Sequence, residues 1–310
     1  MLPRQCLRYW MVSDTGSRSG FVAIVGRPNV GKSTLLNALV GEKLSIVSRK
    51  PHTTRHRIAG VLNRGGDQAV FLDTPGHARR SGRALHRMMA RVIHQSLEDC
   101  DLALLLVEAR GVGEADLRLF ELLGDRIERT VLVLNKIDRL KSKAELAQLL
   151  QELGAYPFLA FVPISAKTGD NLPRLVDTIF ANLPPGSPLF PADMTTDKDL
   201  RFRAAELIRE ELLENLHQEV PYGLTVEIEY LGQEETGQWL VHALIWVEKA
   251  GHKPIVIGKQ GQVLKRVGQA ARQQLRRLLD GPVHLQLWVK VREHWSDSER
   301  ELHRLGFDPS

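Results

Sequence analysis

Cysteine is almost absent. The 310 residues carry only Cys6 and Cys100, too few for a disulfide framework, which points to a reducing compartment. No apolar run approaches the roughly 18 residues needed to cross a bilayer. The opening MLPRQCLRYWMVSDTGSRSG has no continuous apolar stretch of the kind a secretory signal needs. Residues 1–19 are read as a disordered tail, with Met11 an alternative start that would make the first ten residues foreign to the native protein. Internal repeats and low-complexity tracts are also missing, so the chain is treated as ordinary soluble domains, 43% hydrophobic and 25% charged. Its length suits two of them.

Charge is unevenly placed. Residues 200–248 hold three Arg and ten Glu, whereas residues 249–292 hold ten Lys and Arg against the single acid Asp280. An acidic half beside a basic half favours a directed anionic partner over a merely solvated helix face.

From residue 20 to residue 183, apolar runs (FVAIVG, VFLD, LALLLVE, TVLVLN, FVPIS) alternate with amphipathic ones such as KSTLLNALVG and LPRLVDTIFANL. Such alternation predicts an α/β doubly wound, mostly parallel sheet. RIAGVLNR and QAVFLD, joined through Gly-Gly-Asp, add a hairpin. Four prolines between Pro184 and Pro191 make residues 184–199 a linker. Residues 200–310 then read helix, strand, strand, glycine loop, helix, strand and a short terminal helix, a smaller α+β domain.

GRPNVGKS follows the first strand and opens a helix, the context that G-x-x-x-x-G-K-[ST] requires. Gly26, Arg27, Pro28, Asn29, Val30 and Gly31 would curl backbone N–H groups around phosphates, helped by the helix dipole. Lys32 would reach the β- and γ-phosphates and Ser33, with Thr34 behind it, would face Mg²⁺. Asp73-Thr74-Pro75-Gly76 ends the VFLD strand: Asp73 suits the metal and the Gly76 N–H the γ-phosphate. In KPHTTRHR, Thr54 is the candidate third metal-side residue, with Thr53 the alternative. Asn135-Lys136-Ile137-Asp138 follows the TVLVL strand, where Asp138 can accept two hydrogen bonds from guanine, and adenine lacks those donors. His77 stands where some GTPases place a water-orienting glutamine; a solvent-facing switch residue is the preferred reading.

GRPNVGKS, TTR, DTPG, NKID and SAK together match the translation-factor-related GTPases, and with PHTTRHRIAGV and the C-terminal region the chain resembles the Era-like family from about Gly20 to Phe307. That resemblance implies a P-loop GTPase domain followed by a type II KH domain, GTP and Mg²⁺ as ligands, and guanine contacts through the backbone of Ser165, Ala166 and Lys167. In related GTPases an asparagine at the position of Asn29 helps hold K⁺; here that role and simple capping of the loop both stand. The catalytic candidates are thus Lys32, Thr54, Gly76 and Asn29.

In the KH reading, Gly258-Lys259-Gln260-Gly261 clamps the backbone of single-stranded RNA. Lys265, Arg266, Arg272 and Arg276 follow on the next helix. The resemblance gives the target: the 3′ end of 16S ribosomal RNA in the 30S precursor, with no DNA partner. It also implies a cytoplasmic monomer, with peripheral association at the inner face of the cell membrane left open.

Overall fold

The structure is a computed structural model that describes residues 16–76 and 83–307. His77 therefore lies outside the described residues, as do Cys6, Met11 and most of the tail.

The first domain runs β1 (Ser19–Gly26), α1 (Lys32–Val40), β2 (Ile58–Arg64), β3 (Asp67–Asp73), α2 (Ala84–Asp99), β4 (Leu102–Glu108), α3 (Glu114–Leu123), β5 (Thr130–Asn135), α4 (Lys143–Leu153), β6 (Ala160–Pro163) and α5 (Leu172–Asn182). The sheet order is β2-β3-β1-β4-β5-β6, parallel except for β2, which pairs with β3 as the expected hairpin. Strands such as Leu102–Glu108 are apolar at almost every position because both faces are covered. Leu35, Leu36, Ile179 and Phe180 of α1 and α5 pack on one face, and Ile93, Phe120 and Leu149 of α2, α3 and α4 on the other. Strand order reverses around β1, so the loops at its carboxyl end and those of β4 and β5 open onto one crevice, where ligands bind in such sheets.

The second domain runs α6 (Leu200–Asn215), β7 (Leu224–Gln233), β8 (Trp239–Val247), α7 (His252–Ile257), α8 (Gln262–Leu278), β9 (Val283–Val291) and α9 (Glu299–Arg304). β7 pairs antiparallel and β9 parallel to β8, and α6 and α8 cover one face through Ile208, Leu212, Val267, Ala271 and Leu275. The expected order lacked one element. HKPIVI, given no element of its own between the second strand and the glycine loop, is the short helix α7. Its Pro254 sits in the first turn, where the missing N–H costs nothing.

Two boundaries also differ from expectation. The end of the supposed tail is ordered: Arg18 bridges Pro185, and the Ser17 carbonyl accepts from the Gly186 amide. The proline-rich segment is not a free tether. Gln68 Oε1 accepts from the amides of Leu189 and Phe190, Asp197 accepts from the Ala59 amide at 2.9 Å, and Val61 donates to the Thr195 carbonyl. Prolines stop it from becoming helix, yet it still satisfies the open edge of β2.

Candidate nucleotide site and RNA-binding loop

Gly31 ends the loop after β1 and starts α1 in a left-handed conformation, which puts Lys32 and Ser33 in the first helical turn beside unpaired amides. Lys32 Nζ donates to the Gly26 and Arg27 carbonyls at 3.1 and 3.0 Å, holding the loop in a ring. Burial pulls its ammonium down to about 8, with the charge of Asp73 working the other way. Such an amine is short of counter-charge, as a phosphate-binding lysine should be before its ligand arrives.

Three hydroxyls meet one buried carboxylate. Ser33 Oγ lies 2.8 Å from both Asp73 Oδ2 and Thr54 Oγ1, and Ser45 Oγ donates to the same Asp73 oxygen at 2.8 Å. Asp73 Oδ1 is buried without a partner. Burial pushes the Asp73 carboxyl up, opposed by Lys32 and by hydrogen bonds from Ser33, Ser45 and Thr54. A hard oxygen donor set with an orphaned carboxylate oxygen fits Mg²⁺. Thr53 is turned elsewhere, donating to the Lys50 carbonyl at 2.7 Å. Ser45 was missed from sequence because a lone serine in a loop carries no signal until Asp73 is placed beside it.

A cleft of about 930 Å³ joins these residues to the base-side motifs; Pro28, Thr34, Gly76, Asn135, Lys136, Asp138, Ala166 and Lys167 all line it. Gly76 comes so close to the phosphate loop that a Cβ there would meet Pro28 N at 2.9 Å and Pro28 Cα at 2.8 Å. Asn135 ties the parts together, donating to the Val30 carbonyl at 2.7 Å and accepting from the Lys136 and Ala166 amides. Lys136 reaches the Asn29 carbonyl at 2.6 Å and pairs with Glu108. Ser165 Oγ donates to Asp138 Oδ1 at 2.7 Å, fixing that carboxylate at the rim.

Not every named residue touches the cleft. Gly26, Arg27, Val30, Asp73, Thr74, Pro75 and Ser165 stand behind its wall. Arg27 turns away to pair with Asp116 at 2.6 Å, so its side chain is not a phosphate ligand, and Thr74 donates to the Ile24 carbonyl. Asn29 extends out of the loop, its Nδ2 donating to the Arg49 carbonyl at 2.7 Å, rather than capping the loop itself.

The segment between α1 and β2 that carries Thr54 is gripped by the second domain. Arg209 of α6, 2% exposed, donates to the Thr53 carbonyl and pairs with Glu206 at 2.6 Å. Arg55 runs the other way, donating to the Pro221, Tyr222 and Leu224 carbonyls at 3.1, 3.1 and 2.7 Å. Lys50 bonds the Leu213 and Leu216 carbonyls at the end of α6, where a cation is favoured. Glu210 accepts from the Val47 amide and from Lys43, which also reaches Gln274 on α8. His56 stacks on Phe307 at 4.3 Å between ring centroids, and α2 packs Leu85 and Met88 against Trp295 and Leu302. None of the pairings between the two domains was legible, since those partners lie more than a hundred residues apart.

In the second domain, Gly258 and Gly261 both have φ of 75°, and a Cβ on Gly258 would meet Val263 N at 2.9 Å. Lys259 and Gln260 between them are exposed, as are Lys265, Arg266, Arg272 and Arg276 on α8. Positions 265, 272 and 276 share one helix face, opposite the buried Val267, Ala271 and Leu275.

This architecture has known counterparts. Residues 21–136 match the 50S ribosome-binding GTPase family and residues 219–296 the KH domain family. GTPase Era of Bordetella pertussis is 49% identical over 298 residues, 96% of this chain and all of the relative. The chain belongs to the Era family of GTPases. A single-residue variant of Aquifex aeolicus Era bound to GDP·AlF4⁻ superposes with a TM-score of 0.90 at 40% identity, covering 94% of this chain and 99% of that one. Era in complex with MgGDPNP and nucleotides 1506–1542 of 16S ribosomal RNA gives the same TM-score at 39% identity and the same coverage. As an Era-family member the chain is a GTP-hydrolysing enzyme with a P-loop GTPase domain and a C-terminal KH domain.

Proposed function

We propose that the chain is a GTP-driven switch that binds single-stranded RNA at the 3′ end of 16S ribosomal RNA during assembly of the 30S subunit. The observation that carries this reading is the position of Thr54. Its hydroxyl reaches Ser33, while the residues on either side of it, Thr53 and Arg55, are held by the second domain. A nucleotide that orders Thr54 therefore also fixes the KH domain.

GTP would lie in the cleft with its phosphates under Lys32 and the Gly76 amide, its base between Asp138 and the Ser165–Lys167 backbone. Ser33, Thr54 and Asp73 would hold Mg²⁺, which supplies charge neutralisation at the β- and γ-phosphates. Lys32 adds fixed positive charge, and Thr54 and Gly76 close the site against bulk water. Asn29 is the candidate K⁺ residue: with its amide turned, its oxygen would stand beside the Arg49 carbonyl, and two neutral oxygens suit a monovalent cation. Equal turnover in K⁺ and Na⁺ buffers would remove that role.

The GKQG loop and the basic face of α8 are the proposed RNA surface. The matched GTPase family is described by the 50S subunit, but the RNA seen with an Era structure is 16S, which favours the small subunit. A cytoplasmic monomer with peripheral contact at the inner membrane face belongs to the same proposal; no helix among the described residues is long and apolar enough to cross a membrane. RNA crosslinking with GTP, GDP or no nucleotide, run beside GTP turnover of the wild type and Lys32→Ala, tests the reading. Turnover that needs Lys32, with crosslinks that change with nucleotide, is expected. Crosslinks that ignore the nucleotide would leave an RNA-binding protein with no switch.

A further inference from the structure

One side chain at the metal end of the nucleotide cleft belongs to none of the sequence motifs. Ser45 lies in the turn between α1 and β2, is 1% exposed, and donates its hydroxyl proton to Asp73 Oδ2 at 2.8 Å. Unlike Ser33 and Thr54, it does not line the cleft.

The aim of that hydroxyl is set by Asn37. Asn37 Oδ1 accepts from the Leu44 and Ser45 amides, both at 2.9 Å, and its Nδ2 donates to the Ser45 carbonyl at 2.7 Å. With the amide and carbonyl of Ser45 both clamped, its side chain has little freedom left. Asn37 sits four residues after Ser33 on α1, one turn further along the same face. One helix thus presents Ser33 in its first turn and, a turn later, anchors the loop that carries Ser45. The other end of that loop is held from the second domain, where Glu210 accepts from the Val47 amide at 2.9 Å.

A buried serine can satisfy itself on a nearby carbonyl, as Ser96 does on Val92 at 2.7 Å. Ser45 instead donates to a carboxylate 28 residues away. The same Asp73 oxygen takes the hydrogen bond of Ser33 at 2.8 Å. A hydroxyl that donates to a fixed carboxylate keeps its lone pairs for a cation, so the place of Asp73 Oδ2 decides how Ser33 presents its oxygen. Thr74, next to Asp73, cannot help, because its hydroxyl is taken by the Ile24 carbonyl. Ser45 is the donor to Asp73 that has no other task.

We propose that Ser45, clamped by Asn37, is a positioning residue for Mg²⁺, acting through Asp73 Oδ2 on the orientation of the Ser33 hydroxyl. This rests on the reading that Ser33, Thr54 and Asp73 serve the metal. Groups that orient metal ligands in this way contribute about 10- to 100-fold to metal affinity.

The test follows the metal rather than turnover. Release of a fluorescent GDP analogue from the full chain is timed across Mg²⁺ concentrations and in excess EDTA. Ser45→Ala should need about 10- to 100-fold more Mg²⁺ than wild type to slow release, with release in EDTA unchanged. Asn37→Ala should shift the requirement in the same direction, and Ser33→Ala should lose the slowing outright. Asn37 is half-buried on a helix that favours alanine, so its variant keeps the proposal falsifiable should Ser45→Ala not fold. Release that quickens equally with and without Mg²⁺ would mean a packing role and overturn the proposal. So would a wild-type Mg²⁺ requirement in either variant. If Ser33→Ala responds to Mg²⁺ as wild type does, the metal assignment fails and the proposal with it; if only Ser45→Ala does, the assignment stands and the positioning role falls.

Discussion

Replacing Arg209 with methionine separates two roles that one side chain performs. The guanidinium neutralises Glu206, which is 7% exposed, and it donates to the Thr53 carbonyl. Burial alone would raise the Glu206 carboxyl, but the charge and hydrogen bonds of Arg209, with smaller help from His56 and Arg55, hold it below the usual carboxylate range. Stranding that carboxylate costs about 3–5 kcal/mol of stability, as for other broken buried pairs. The bond to Thr53 is a charge-assisted one worth about 1.5–3 kcal/mol, and it matters only when the Thr54 segment is closed. Arg209→Met should therefore weaken GDPNP·Mg relative to GDP·Mg by about 10- to 150-fold, read by titration with fluorescent analogues. Glu206→Leu with Arg209→Met should recover most of the stability, since the pair is replaced by apolar bulk, yet not the lost preference for GDPNP. Equal weakening of both nucleotides, or none, would refute the claim that α6 holds the switch segment.

Other predictions concern single groups. Lys32, held near 8 by burial, is partly neutral at pH 8.5 and must regain its proton beneath a triphosphate. Nucleotide binding should then take up a fraction of a proton, seen as a dependence of the binding heat on buffer ionisation, and affinity should fall as pH rises through that value. Uptake that is absent in wild type, or unchanged in Lys32→Met, would count against it. Asp138→Asn should shift preference from guanine to xanthine nucleotides in competition binding, because the amide donates where the carboxylate accepts; retained GTP preference would remove Asp138 from the site. Changing Lys259 and Gln260 together to aspartate should abolish RNA binding in a filter assay and leave basal GTP hydrolysis within about twofold, well under 1 kcal/mol of barrier. Loss of both would make the loop a structural element.

The nucleotide site was legible because its chemistry is local. GRPNVGKS, DTPG and NKID each lie at the carboxyl end of a strand, and each strand announces itself by an apolar run. Thr54 emerged only as the better of two neighbours; the structure brings Thr54 to Ser33 and turns Thr53 away. What the motifs could not carry is the coupling between domains. Arg55 and His56 look like surface residues beside a threonine, and Arg209 looks like one charge on an acidic helix. Arg55 and Arg209 are buried and His56 is half-buried because their partners come from the other end of the chain. The helix α7 was missed for a different reason: β-branched Ile255, Val256 and Ile257 favour extended chain locally, and the tertiary position of Val256 in the core overrides them.

The most direct test of the account is the affinity of the chain for a fluorescent single-stranded RNA copying the 3′ end of 16S ribosomal RNA, measured with GDPNP·Mg and with GDP·Mg. If the contacts around Thr54 transmit nucleotide state to the KH domain, the two affinities differ by at least about fivefold, the low end of ordinary allosteric coupling. The same difference must disappear in Arg209→Met. Equal affinities in the wild type would contradict the coupling and leave two independent domains that happen to touch.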